Sequence, residues 1–186
     1  GTITGKVGTL NLPTPSAGYA WDLSNLHTSG QISLVALPGN ITTNPALWLQ
    51  AEDAGSVELD GSNNVAQWFD KSGNNYHATN STSSQQALWT DVDSDANSLS
   101  TLTFSASNSD HFVSSLNTDV ANGYEIIVIA KPSTLASDQV IIAQQNGTGQ
   151  GRHLLQKMAN NGLGSTLGGQ TNTTDSSIVD GNLQIL

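Results

Sequence analysis

Asp70, Ser72 and Asn74 place oxygen donors at alternate positions of a short segment, and Gly73 among them allows the chain to turn tightly. Asp53 lies upstream, at the end of an apolar run. Hard oxygen ligands at this density suit Ca²⁺, so Asp70, Ser72, Asn74 and Asp53 form the expected metal set, with calcium as the expected cofactor. The same residues also fit a purely structural turn, in which Asp70 caps backbone amides and Asn74 and Asn75 tolerate the left-handed conformation. A second acidic run, Asp91, Asp93, Asp95 and Asn97, opens like an EF-hand loop. Ala96 stands where that loop needs glycine and Leu102 where it needs a bidentate glutamate, so a solvated acidic loop is expected instead.

Catalytic chemistry finds little support. Retaining glycoside hydrolysis needs two carboxylates about 5 Å apart facing one cleft, which a strand supplies at even spacing. Glu52, Asp53 and Glu58 have the wrong spacing, and Glu58 with Asp60 is a lone pair at a turn edge. His27, His77, His111 and His153 show no metal-ligand spacing. No nucleophile elbow, phosphate-binding glycine loop or dinucleotide fingerprint is present. A non-catalytic protein is expected. Trp48, Trp68 and Trp89 sit in strand-like contexts where core packing is the ordinary fate. Trp89 and Tyr76 are the candidates for contact with a ligand such as a glycan.

The elements that must carry these residues read as strands. Among 186 residues, charged side chains make up only 11% and the net charge is -10, so polarity rests on hydroxyls and amides that suit turns and β-surfaces. That charge repels phosphate backbones and anionic lipids, which excludes nucleic acid as a partner. Cysteine is absent, which removes disulfides, thiolate metal sites and cysteine catalysis. No apolar run approaches a membrane span; Ile126 to Ala130 is the longest, and no membrane insertion is expected. The N-terminus shows no charged and apolar leader, so a mature or excised piece is expected. Asn40, Asn80, Asn146 and Asn172 open glycosylation triplets, read as chance in an Asn- and Thr-rich chain.

Short apolar or alternating runs recur between turn clusters. Strands are expected at residues 31–37, 46–51, 56–59, 65–69, 100–105, 111–114, 124–130, 140–144 and 152–156. The turns between them include Asp60 to Asn64, Ser72 to Asn75 and Asn122-Gly123, which supply positive φ. Residues 124–130 are the expected central strand because β-branched residues run continuously there. Residues 134–139 are the expected short helical turn. A composition shift at residues 38–45 predicts a linker between a β-strand segment at 1–37 and a β-sandwich at 46–186.

Two resemblances follow from these residues. Trp21-Asp22, Leu26 and Gly30 give residues 10–35 the look of the closing unit of autotransporter-associated β-strand repeats in bacterial surface proteins. From residue 46, the Leu47-Trp48-Leu49 run, the Trp68-x-Asp70-x-Ser72-Gly73-Asn74 block, Asp110 with Phe112, and Tyr124 to Pro132 are similar in order to concanavalin A-like, laminin G-type jelly-roll domains of secreted bacterial proteins. The resemblance implies an all-β, antiparallel two-sheet jelly roll, extracellular or at the cell surface, often calcium-stabilised and glycan-binding or adhesive.

A jelly roll of that kind carries further strands beyond residue 186, so the sandwich is expected to be completed by an N-terminal strand or by strand exchange with a neighbour. Ile3, Val7, Leu10 and Leu12 are the expected exchange residues. Head-to-tail exchange that does not close yields a fibre, so a homo-oligomer or fibre is the expected partner state. The leading expectation is a structural or adhesive unit of a bacterial surface or matrix assembly. The alternative is a calcium-dependent, lectin-like carbohydrate-binding module.

Overall fold

The computed structural model describes residues 10–23, 25–26, 29–37, 41–52, 54–117, 125–132, 139–145, 151–157, 163–167, 170–174 and 184–185. Their regular structure is strand, with single 3₁₀ turns at Ala54–Ser56, Ser83–Gln85 and Ser94–Ala96. All the pairings are antiparallel and the sheets are small. The chain divides into two compact units, Gly1–Leu116 and Asn117–Leu186.

In the first unit, β1 (Tyr19–Asp22) and β2 (Ser33–Ala36) form a two-stranded hairpin. A three-stranded sheet follows, in the order β3 (Val57–Leu59), β4 (Val65–Trp68), β5 (Ala78–Thr79). Then β6 (Leu88–Asp93) pairs with β7 (Leu99–Thr103). Single bridges at Asn64↔Leu88 and Thr79↔Val113 join the three-stranded sheet to β6 and to the segment around Val113.

Alternation explains the core. Successive side chains of a strand point to opposite faces, and residues directly opposite on antiparallel neighbours share a face. Val57, Trp68 and Ala78 are in register across β3, β4 and β5, while Glu58, Gln67 and Thr79 form the next row on the other face. The first row turns inward: Val57 and Ala78 are buried and Trp68 is half-buried. Val57, Val65 and Trp89 make the core, with Leu59, Trp68, Leu102 and Phe112 packed against it. Phe112 meets Trp68 and Phe104 in tilted and edge-to-face contacts at 6.1 and 5.7 Å.

The Asp60 turn joins β3 to β4 as its sequence requires. Asp60 Oδ1 accepts from the amides of Ser62 and Asn64, Oδ2 accepts from the Asn64 side chain, and Asn63 takes φ +63°. These bonds hold the Asp60 carboxyl below its ordinary range, the Asn64 side-chain amide contributing most.

In the second unit, β9 (Gln139–Gln145), β10 (Gly151–Lys157), β11 (Leu163–Leu167) and β12 (Gln170–Thr174) form a four-stranded meander. A separate pair joins β8 (Ile129–Ala130) to β13 (Gln184–Ile185).

Several expected strands change. Residues 46–51 form no strand; their β-pairing among the described residues is the single Leu49↔Asp70 bridge. Residues 111–114 are likewise reduced to the Val113 bridge. The expected central strand shrinks to Ile129–Ala130, with Ile127 57% and Ile129 67% exposed. Among the described residues its pairing is with β13, over two residues. Of residues 134–139, where a helical turn is expected, 134–138 lie outside the described residues and Gln139 instead opens β9.

Candidate functional site

The first cluster is built on Asp70, and Ser72 and Asn74 do gather around it. Asp70 Oδ1 accepts from the amides of Trp48 and Ser72, both at 2.9 Å. Oδ2 accepts from Ser72 Oγ at 2.8 Å and from the Tyr76 amide at 3.0 Å. Four donors therefore saturate a carboxylate that is 4% exposed. The backbone N–H of Asp70 donates to Nδ1 of His77, which fixes that nitrogen as an acceptor.

Neighbouring groups extend the cluster toward residues 44–50. Asn44 Nδ2 donates to the Ser72 carbonyl at 2.8 Å, and Asn74 Nδ2 donates to the carbonyls of Pro45 and Ala46. Lys71 N–H donates to the Trp48 carbonyl at 2.8 Å. The side chain of Lys71 passes over the Trp48 ring and donates to Gln50 Oε1 at 3.2 Å. Its Nζ also pairs with Asp22 Oδ2 at 3.1 Å, on the inner face of β1. Gly73, at φ +85°, lies where an added Cβ would stand 3.9 Å from the Trp21 carbonyl.

The described members of the expected set, Asp70, Ser72 and Asn74, do not by themselves form a calcium cradle. A hard cation needs carboxylate lone pairs, and those of Asp70 are already engaged by backbone and hydroxyl donors. The Asn74 group nearest the cluster's carbonyls is its amide nitrogen, a donor. Asp53 lies outside the described residues. What the Asp70 arrangement does is bind segments distant in sequence to one another: Asp22, residues 44–50 and residues 70–77.

Trp89 is withdrawn from the surface, and the backbone of Tyr76 is tied into the Asp70 cluster. Trp89 is 9% exposed in the core, and its indole N–H donates to the Ala51 carbonyl at 3.1 Å. Tyr76 is half-buried; its amide serves Asp70 and its carbonyl accepts from Ser114 Oγ at 2.7 Å. Of the expected exchange residues, Ile3 and Val7 lie outside the described residues, while Leu10 and Leu12 lie in irregular chain. Just beyond them, the Pro13 carbonyl accepts from the Trp21 indole at 2.7 Å.

A second feature was invisible along the sequence. The outward row Glu58, Gln67 and Thr79 continues across the Thr79↔Val113 bridge, so four segments contribute one residue each to a line. Together with Ser81, Thr82 and His111 this line bounds an open groove of about 480 Å³. Its rim is fixed by Asn80, which is 7% exposed. The Asn80 side chain donates to the carbonyls of Gln85 and His111, both at 2.8 Å, and accepts from the Thr82 amide at 2.9 Å. Both N–H groups of the Asn80 side-chain amide are thus engaged in the folded chain. Register across strands assembles this groove, and no local spacing could have signalled it.

Comparison of the chain with protein-family models, with curated proteins and with solved structures found no match.

Proposed function

We propose that the chain is a non-catalytic, extracellular structural and adhesive β-module of a bacterial surface or matrix assembly, its sheets arranged as an antiparallel jelly-roll sandwich, and that it associates with further copies of itself. The observation that carries this reading is the outer face of the β1–β2 hairpin. Tyr19 and Trp21 stand opposite Ala36 and Leu34, so all four apolar side chains share one face. Tyr19 is 47% and Leu34 49% exposed. The opposite face is anchored, with Ala20 at 2% and Asp22 at 6% exposure.

A two-stranded ribbon is marginal on its own, and two open edges are a template for pairing with another chain. Here the ribbon is held by the buried Asp22–Lys71 pair, so its apolar face and edges are presented on a fixed mount. Burial of such a face in a neighbouring copy stabilises by about 25 cal/mol per Å² of apolar surface removed from water. The net charge of -10 opposes association, so salt should promote it by screening. Strand pairing at the hairpin edges offers a route of assembly beside the exchange expected from residues 1–12. Light scattering with negative-stain electron microscopy tests the proposal: regular oligomers or fibres that shorten on Leu34→Ser support it, and a monomer at all concentrations and salts contradicts it.

A further inference from the structure

We propose that Lys71 and Asp22 condense in the folded chain, forming an amide between Nζ and Cγ with loss of one water. The inference goes beyond the assembly reading and does not depend on it, because it concerns a covalent cross-link on the anchored face of the hairpin.

Burial, the direction of the amine and the fixed backbones carry it together. Lys71 Nζ stands 3.1 Å from Asp22 Oδ2, with the two side chains 8% and 7% exposed. Proton transfer from Nζ to Oδ2 turns the ion pair into a neutral amine beside a neutral acid, the two reactants of an amide. It also removes two charges whose desolvation is costly. An ammonium has three N–H donors. One faces Asp22, another is taken by Gln50 Oε1 at 3.2 Å, and the Trp48 ring centroid lies 5.5 Å from Nζ. Gln50 Nε2 in turn donates to Glu52 Oε2, which holds Oε1 toward Lys71. The proton passed to Asp22 is the one that faces it, so the lone pair left behind is directed at the Asp22 carboxyl. Asp22 is fixed by its pairing with Ser33 in the hairpin, and the Lys71 amide by its bond to the Trp48 carbonyl at 2.8 Å. Well-oriented intramolecular partners reach effective molarities of about 10⁵–10⁸ M. The flexible stem of Lys71 is the part that moves to bring Nζ onto Cγ.

The reaction balances without a co-reactant. The Nζ lone pair adds to Cγ, a second Nζ proton moves to the departing hydroxyl, and the Cγ–O bond breaks to release water. Nothing is oxidised or reduced. The product amide keeps one N–H, which Gln50 Oε1 continues to accept. Cysteine is absent, so no disulfide staples this chain, and the amide closes residues 22–71 into a covalent loop. Such a loop restricts the unfolded chain and so stabilises the fold.

The test is the intact mass of the unaltered full chain, refolded from urea, sampled over days at neutral pH and read under denaturing conditions. A species lighter by one water should come to predominate, and proteolysis should yield the Asp22 peptide joined to the Lys71 peptide. The chain kept in urea should retain its full mass, since only the fold brings the two groups together. Lys71→Arg preserves the charge but removes the amine, and should retain its full mass after refolding. Gln50→Ala removes a positioning residue and should slow the water loss severalfold while giving the same joined peptides. The unaltered chain decides the matter even where a variant fails to fold. A folded chain that keeps the mass of its sequence would overturn the inference. So would a water loss mapped elsewhere, such as to Asp60, or a loss of ammonia that joins Lys71 to Gln50. Self-association is read separately by light scattering, so failure of the cross-link and failure of the assembly reading are distinct results.

Discussion

Lys71 Nζ and Asp22 Oδ2 meet at 3.1 Å with their side chains 8% and 7% exposed, and through this pair the N-terminal hairpin is bound to the loop that follows β4. Taking both charges out of water is costly, and the pair is tolerable because Lys71 has further partners in Gln50 Oε1 and the Trp48 ring. Lys71→Met should therefore remove the cation facing the buried Asp22 carboxylate and lower stability by about 3–5 kcal/mol, with Lys71→Met/Asp22→Asn recovering part of it. Urea denaturation measures this. A loss below about 1 kcal/mol would assign the pair the weight of an exposed salt bridge.

Asp70 is the acceptor hub of the same region. Asp70→Ala leaves four donors without their partner, among them the Tyr76 amide and, on a segment distant in sequence, the Trp48 amide. The expected cost is about 3–5 kcal/mol, since each buried donor left unsatisfied costs about 1–3 kcal/mol and the losses overlap. The melting temperature of the unaltered chain should be the same in Ca²⁺ and in EDTA. A rise that grows with Ca²⁺ concentration would show selective binding to the folded state and would restore the metal reading.

Asp60 supplies a pH dependence with a defined sign. Its carboxyl is held below the ordinary value in the folded chain, first by the Asn64 side chain and then by the Ser62 and Asn64 amides. A depressed folded-state value means that the ionised form contributes stability above the unfolded-state pKa, lost as pH falls through the folded-state value. The stability gap between the unaltered chain and Asp60→Ala should thus be full at neutral pH and narrow below the usual carboxylate range. A gap that widens on acidification would contradict the turn described here.

The parts of this fold that could be read from sequence are those decided within a few residues. The Asp60 turn, with Asn63 at positive φ, and the strands at Val57–Leu59, Val65–Trp68 and Gln139–Gln145 follow from turn chemistry and alternation. The Asp70, Ser72 and Asn74 cluster was also legible as a unit, but whether its oxygens face a cation or backbone amides depends on residues 44–50, which no spacing brings into view. β6 was missed because Leu88 to Asp93 carries acidic residues at Asp91 and Asp93 that suggested a loop, while Trp89 packs into the core and holds the segment there. The Glu58, Gln67 and Thr79 row depends on register between strands, which a single sequence does not disclose.

Trp89 distinguishes packing from recognition. Buried at 9% exposure against Val57 and Val65, it should cost about 3–5 kcal/mol as Trp89→Ala, read by urea denaturation. A variant of nearly unchanged stability would mean the ring is not packed as described and would return it to the list of sugar-stacking surfaces.

The most direct test of the assembly reading is the mass of the chain in solution by light scattering, across concentration and salt, with electron microscopy of the same samples. The outer face formed by Tyr19, Trp21, Leu34 and Ala36 predicts regular oligomers or fibres that grow with concentration and salt, and that Tyr19→Ser and Leu34→Ser reduce toward monomer without unfolding the chain. A monomer under every condition, or an assembly indifferent to both substitutions, would contradict it.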